Sequence, residues 1–206
     1  MGRATEAAGG GAGGDPAAFD RLRRRVLWSL PTGLFVVGSR AGAERNLMTA
    51  NWVMQVATAP KLVAVAVESG SVTRRLIADG GGFSVSVLPR SERGVVRKFV
   101  KPVDAGALVV DDDGVVVSVR EVPVHEVTGG LPCLRSARAW LACEVRRRVD
   151  WEGAHGTTPS HVLFVGEVVD AGEDSSGPGA GGGQDGDDTD GGGVLRMEDT
   201  RMNYGG

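Results

Sequence analysis

The chain has 206 residues, 41% of them hydrophobic, and a formal net charge of -3. It can bury one core as a single domain, and it lacks the basic excess of a nucleic-acid binder. No uninterrupted apolar stretch approaches the roughly 20 residues of a membrane span, and the first residues lack the basic-then-apolar order of a signal peptide; a cytoplasmic enzyme or binder is expected.

Residues 1–14 are rich in Gly and Ala and are expected to be a disordered tail. Asp15 followed by Pro16 reads as an N-cap and first helical position. The helix "PAAFDRLRRRVLWSL" puts Phe19, Leu22, Val26, Leu27 and Leu30 on one face, and most of its arginines on the other. From residue 33 the period shortens. "GLFVVGS", "LMTANWVMQV", "KLVAVAV", "GFSVSVL", "GVVVSV", "ARAWLACEVRRRV" and "HVLFVGEVV" are β-branched runs bounded by turn residues, which predicts an antiparallel barrel or sandwich. Two helices are expected among them, "SVTRRLIADG" and "SERGVVRKFV", the second capped by Ser91.

The Gly/Asp-rich stretch at 171–193 offers nothing to bury and is expected to be a disordered loop. Its "DGDDTDG" does not satisfy the EF-hand pattern, because Asp190 and Arg196 fall where Gly and Glu are needed. Cys133 and Cys143 are expected to be reduced, small apolar residues, and His125, His155 and His161 fall at no metal-ligand spacing, so no metal is expected.

Function concentrates in "NLMTANWVMQVATAPKLVAVAVESGSVTRRLI", residues 46–77. Ser71 can cap a helix beginning near Val72, leaving first-turn N–H groups free. Ser69, Ser71 and Thr73 add hydroxyls, Gly70 lets a ligand come close, and Arg74 and Arg75 follow. Such a turn suits a phosphate, although taken alone it is better accounted for by an ordinary capped helix. In the strand before it, Thr49, Asn51 and Gln55 share one parity, and Met48, Trp52, Met54 and Val56 share the other. Read as lying between two apolar strands, those polar groups need partners, and a planar heterocycle would supply them. Phosphate at one end and a polar ring at the other describe a mononucleotide cofactor.

This stretch, followed in order by "GGFSVSVL", "RKFV", "GGLPCLRSARAWLACEV", "SHVLFVGEVV" and "MNYGG", resembles the flavin reductase-like family over roughly residues 19–204. The resemblance implies a mainly β fold, an FMN-binding split β-barrel of Greek-key-like antiparallel form with a few peripheral helices, filling residues 15–206 as one domain. It implies that Thr49, Ala50, Asn51 and Trp52 lie along the isoalloxazine and that Ser69, Gly70, Ser71 and Thr73 hold the FMN phosphate. Lys98 and Phe99 would close over the flavin, and His161 would stand beside it, preceded by "TPS" instead of the family's usual Gly-Asp. Glu68 replaces a more usual neutral polar residue. The implied activity is transfer of electrons from NAD(P)H to flavin by a homodimer, with a monooxygenase as a possible partner. The cofactor carries the hydride chemistry, so no side-chain acid, base or nucleophile is required of the protein. A non-catalytic FMN binder is the alternative.

Overall fold

The computed structural model describes residues 15–151, 157–173, 193–200 and 202. The expected N-terminal tail, His155, the "DGDDTDG" stretch and the closing residues 203–206 lie outside the described residues. Within the described chain there are two compact units, residues 15–31 with Met202, and residues 32–200. The first holds helix α1 (Pro16–Trp28), capped by the Asp15 carboxylate, which accepts from Ala17 N–H at 3.0 Å, with Pro16 at the first position. None of its residues is buried.

Among its described residues the second unit is mainly β and antiparallel, with a single α-helix. In chain order it comprises β1 (Phe35–Ala41), β2 (Glu44–Ala50), β3 (Val53–Thr58), β4 (Lys61–Glu68), α2 (Val72–Gly80), β5 (Gly82–Val87), β6 (Leu108–Val110), β7 (Val116–Val119), β8 (Val122–Val127), β9 (Leu131–Leu134), β10 (Ala139–Val149) and β11 (His161–Glu173). Seven strands form one sheet in the order β2-β1-β5-β10-β11-β4-β3, and β6-β7-β8-β9 form a second. The larger sheet ends in two free edges, β2 and β3, so its ladder is not closed into a barrel.

Two expectations need correction here. The run "LMTANWVMQV" is not one strand flanked by two others. It breaks at Asn51–Trp52, and its halves end up on opposite edges of the sheet. The alternation from Thr49 to Gln55 therefore does not run through. The segment "SERGVVRKFV" is not an α-helix capped by Ser91 but two short 3-10 turns, Arg90–Glu92 and Val95–Phe99. Gly94 interrupts it, and Val95 and Val96 lose rotamer freedom in a helix. The sequence reading also passed over β6, β8 and β9 and stopped β11 short: that strand runs on to Glu173, and residues 174–192 lie outside the described residues.

The main core lies where period-2 alternation directs it. Val63, Val65 and Val67 of β4, Phe83 and Val85 of β5, and Val162 and Phe164 of β11 pack together with Ile77 of α2. Helix α2 ends at Gly81, left-handed at φ 73, whose N–H donates to Ile77 O at 2.9 Å. Strand β9 is fixed to the larger sheet by side-chain bonds: Ser84 Oγ donates to Pro132 O at 2.6 Å, and Leu134 N–H donates to Ser86 Oγ at 3.1 Å. A largely buried ion pair joins the sheets elsewhere, with Arg45 Nε 2.8 Å from Glu126 Oε1.

The close approach of β9 requires Gly38 on β1. A Cβ there would stand 2.0 Å from Pro132 O and 2.3 Å from Ser84 Oγ. Both neighbours are held by their own hydrogen bond, so neither can yield cheaply. Gly38→Ala should therefore destabilise the fold by about 1–3 kcal/mol, the usual cost of overpacking. Gly70→Ala, where a Cβ meets nothing within 4 Å, should change the urea midpoint little. Equal midpoints for the two variants would show that β9 does not bear on Gly38.

Candidate functional site

The turn from β4 into α2 is tied on one side to β11. Ser69 N–H donates to Ser160 O at 2.8 Å, Ser69 Oγ donates to Pro159 O at 2.9 Å, and His161 pairs with Glu68 across the β4–β11 ladder. Ser71 caps α2 as its residue type predicts: Oγ accepts from Arg74 N–H at 3.1 Å and donates to Glu68 O at 2.8 Å. The single hydroxyl protons of Ser69 and Ser71 are thus engaged by main-chain carbonyls. The amides of Val72 and Thr73, in the first turn of α2, have no intrahelical acceptor.

Thr73 has a different place from the two serines. It is buried, 1% exposed, and its Oγ1 accepts from Asn46 Nδ2 at 2.7 Å. Asn46, on β2, also accepts from Val103 N–H at 2.8 Å through Oδ1. The arginines separate as well. Arg75 is spent on Glu44, 2.5 Å away. Arg74 is half-buried, and its Nε is shut off from solvent with no hydrogen-bond partner. A buried donor without an acceptor is uncommon and costly.

The crossing from β2 to β3 reaches this turn through Trp52, whose carbonyl accepts from Ala66 N–H of β4 at 3.0 Å. The Trp52 ring is 39% exposed and meets His161 edge-to-face at 4.7 Å. His161 Nδ1 lies 2.8 Å from Ser160 Oγ. Trp52, His161, Glu68 and Ser71 are thus linked one to the next by ring, ladder and hydrogen-bond contacts, with Ser69 and Gly70 in the same turn. Ala50 is buried and Asn51 half-buried at the bend beside Trp52.

Thr49 is buried on β2, and its hydroxyl donates to Val96 O at 2.5 Å, which ties the 95–99 turn to the strand. On that turn Lys98 is exposed and its Nζ donates to Arg120 O at 3.1 Å, whereas Phe99 is fully buried and is a core residue. Arg120, left-handed at φ 49 in the β7–β8 turn, grips the carbonyls of Lys98, Lys101 and Pro102. Gln55, expected to meet a ring, is exposed and donates to Ala57 O at 3.1 Å. Sequence reasoning missed Asn46 and Ser160. Asn46 follows Arg45 at the polar start of its strand and, like Ser160, carries no local signal.

A cleft of about 440 Å³ opens at the other end of α2, lined by Arg40, Gly80, Thr128 and Glu144 among others, and shares none of these residues. Arg40 there already donates to Gly42 O and Gly129 O. Cys143 lines that cleft and Cys133 lies in the core. Both thiols are free and buried, and burial pushes them up to about 12 and about 11, which leaves them protonated and unreactive at neutral pH. Among the described residues no helix is long and apolar enough to cross a membrane.

The family model described as "Flavin reductase like domain" matches residues 27–184. The chain is 30% identical over 146 residues to an NADH-dependent flavin reductase of Pseudomonas fluorescens, covering 70% of this chain and 74% of that protein. It also superposes on the structure of an NADH:FAD oxidoreductase of Streptomyces globisporus with a TM-score of 0.59 and 31% identity, covering 77% of this chain and 85% of that one. A further similar structure, the flavin reductase component of a bacterial two-component tryptophan halogenase, gives a TM-score of 0.56 at 25% identity, covering 75% and 88% of the two chains. Other relatives are longer: the chain spans 58% of a high molecular weight rubredoxin of Moorella thermoacetica and 22% of a diflavin flavoprotein of Synechocystis.

Burial holds the pKa of His161 below its ordinary value against an opposing pull from Glu68, and burial with Arg135 nearby does the same to His125. A histidine kept neutral by the fold stabilises it fully above the unfolded value, near 6.5, and that contribution is lost as pH falls toward the lower folded value. Urea midpoints should therefore drop between pH 7.5 and pH 5.5, and the drop should shrink in a His125→Gln, His161→Gln double variant. An unchanged pH dependence in the double variant would assign it to other groups.

Proposed function

The chain belongs to the flavin reductase-like family, and from that premise we propose that it is an NAD(P)H-dependent flavin oxidoreductase that binds FMN at the turn between β4 and α2. The observation that carries this reading is the donor set at that turn. The amides of Val72 and Thr73, which have no intrahelical acceptor, are N–H groups suited to a phosphate. Arg74, whose buried Nε has no partner, brings a guanidinium next to them that can turn toward the anion. Ser69 and Ser71 shape the turn, and their hydroxyls can be redirected to the phosphate oxygens. Gly70, with open space where a Cβ would be, permits close approach. Thr73 serves from the interior, as the anchor of the helix start.

Thr49, Ala50, Asn51 and Trp52 are the residues for the isoalloxazine, with His161 at its edge and Lys98 on the adjoining turn, backed by Phe99 from the core. Thr49 acts through its main chain, since its hydroxyl belongs to Val96. Bound flavin supplies the hydride acceptance that no side chain of this protein can provide. The protein's task is to orient the ring, neutralise the phosphate and keep one ring face accessible to NAD(P)H.

Three features of assembly complete the proposal. The fold is a split barrel, its ladder left open between β2 and β3. The protein is a cytoplasmic homodimer, the pairing supported by the exposed apolar side chains of Met54 and Val56 on the β3 edge and of Trp52 just before it, at 65%, 44% and 39% exposure. Its reduced flavin serves a partner monooxygenase, a reading supported by the likeness to the flavin reductase component of a two-component tryptophan halogenase.

Purified protein should bind FMN and bleach anaerobically on addition of NADH or NADPH. A yellow protein that stays yellow with both would support a non-catalytic binder instead. Arg74→Met should weaken FMN by about 1.5–3 kcal/mol, roughly 10- to 150-fold, the value of a hydrogen bond to a charged group. Riboflavin, without the phosphate, should be nearly indifferent. Arg75→Met, which frees only an exposed pair with Glu44, should leave FMN affinity within about threefold. Equal effects of the two arginines would remove Arg74 from the phosphate site.

A further inference from the structure

We propose that Asn46 is a positioning residue for phosphate recognition, holding the first turn of α2 in register through Thr73. The inference rests on the phosphate reading above and concerns a residue that touches no ligand.

The orientation of the Asn46 amide is fixed by chemistry. Val103 N–H can only donate, so Oδ1 must face it, at 2.8 Å. That leaves Nδ2 toward Thr73 Oγ1, at 2.7 Å. Asn46 is 3% exposed and Thr73 1%, so neither can exchange its partner for water. Thr73 is the second residue of α2, and its own amide is one of the two free donors of the turn. A bond to its side chain therefore sets the direction of the N–H group offered to an anion.

The turn is otherwise tethered from one side, by Ser69 to Pro159 and Ser160 and by Ser71 to Glu68. Those bonds attach it to the 159–160 segment leading into β11 and to the end of β4. Asn46 supplies the buried tether on the opposite side, to β2. The other link from α2 to β2, Arg75 with Glu44, is exposed, 47% and 61% at the two side chains, and holds position weakly. Binding geometry tolerates about half an ångström of error, so a helix start held on one side only loses its aim.

Asn46→Leu removes both bonds at similar volume. FMN and riboflavin dissociation constants would be measured for wild type, Asn46→Leu, Thr73→Val, Thr73→Ser and the Asn46→Leu, Thr73→Val double variant. Asn46→Leu should weaken FMN about 10-fold while riboflavin changes less than about threefold, so that the preference for the phosphorylated flavin collapses. Thr73→Ser, which keeps the hydroxyl, should retain the preference. The double variant should lose no more than the worse single variant, because the two residues act through one bond. If Asn46→Leu cannot be purified folded, Asn46→Ser is carried through the same comparison.

Equal losses for FMN and riboflavin would reduce Asn46 to general stability and overturn the proposal. A loss in Thr73→Val with none at Asn46, or additive losses in the double variant, would assign Thr73 a direct role and overturn it too. Wild-type protein that binds riboflavin as tightly as FMN would sink the phosphate reading itself, and this inference with it.

Discussion

Polar side chains buried on an edge strand have a single recourse: the elements folded over them must satisfy them. Besides Arg45, which pairs with Glu126 of β8, strand β2 carries two, Asn46 and Thr49, 3% and 7% exposed. Their partners are Thr73 of α2, the amide of Val103 and the carbonyl of Val96. None of these is a neighbour in the ladder. An unpaired buried amide or hydroxyl costs on the order of 1–3 kcal/mol, so the three segments are drawn to β2 by the need to pair rather than by apolar burial alone. The helix start, the 95–99 turn and the 100–104 connection all take their places from that requirement.

The same constraint separates residues that look alike in sequence. Ser69, Ser71 and Thr73 form a run of hydroxyls at alternate positions, yet two lie at the rim of the turn and the third points its oxygen at Asn46 inside. Arg74 and Arg75 are adjacent and differ in the same way: one has an anionic partner and the other has a buried nitrogen with none. What the turn offers to an anion is therefore decided less by its inventory of polar groups than by which of them the fold has already used.

Much of this was legible. The alternation of Val63, Val65 and Val67 marks β4 and its buried face, and Asp15-Pro16 and Ser71 announce both α-helix starts. The break at Asn51–Trp52 was not legible, because an apolar run with one central Asn reads as a continuous strand. Only the pairing of its halves with β1 on one side and β4 on the other reveals the crossing. Strands β8 and β9 hid for a different reason. Each is short and contains a proline, Pro123 or Pro132, which weakens any strand reading. Asn46 escaped notice because its partners lie 27 and 57 positions away, beyond the reach of any local pattern.

The bond from Ser69 to Pro159 closes the proposed site across 90 positions of chain. Strand β4 pairs with β3 through a two-residue turn, but its partner on the other side, β11, begins at His161, far along the chain from Lys61–Glu68. Contacts so distant in sequence bear the loop-closure cost before they yield any return, and they form late. The proposed site is therefore incomplete until β11 has joined β4, and it is assembled by the slow, long-range part of folding rather than by the β3–β4 hairpin.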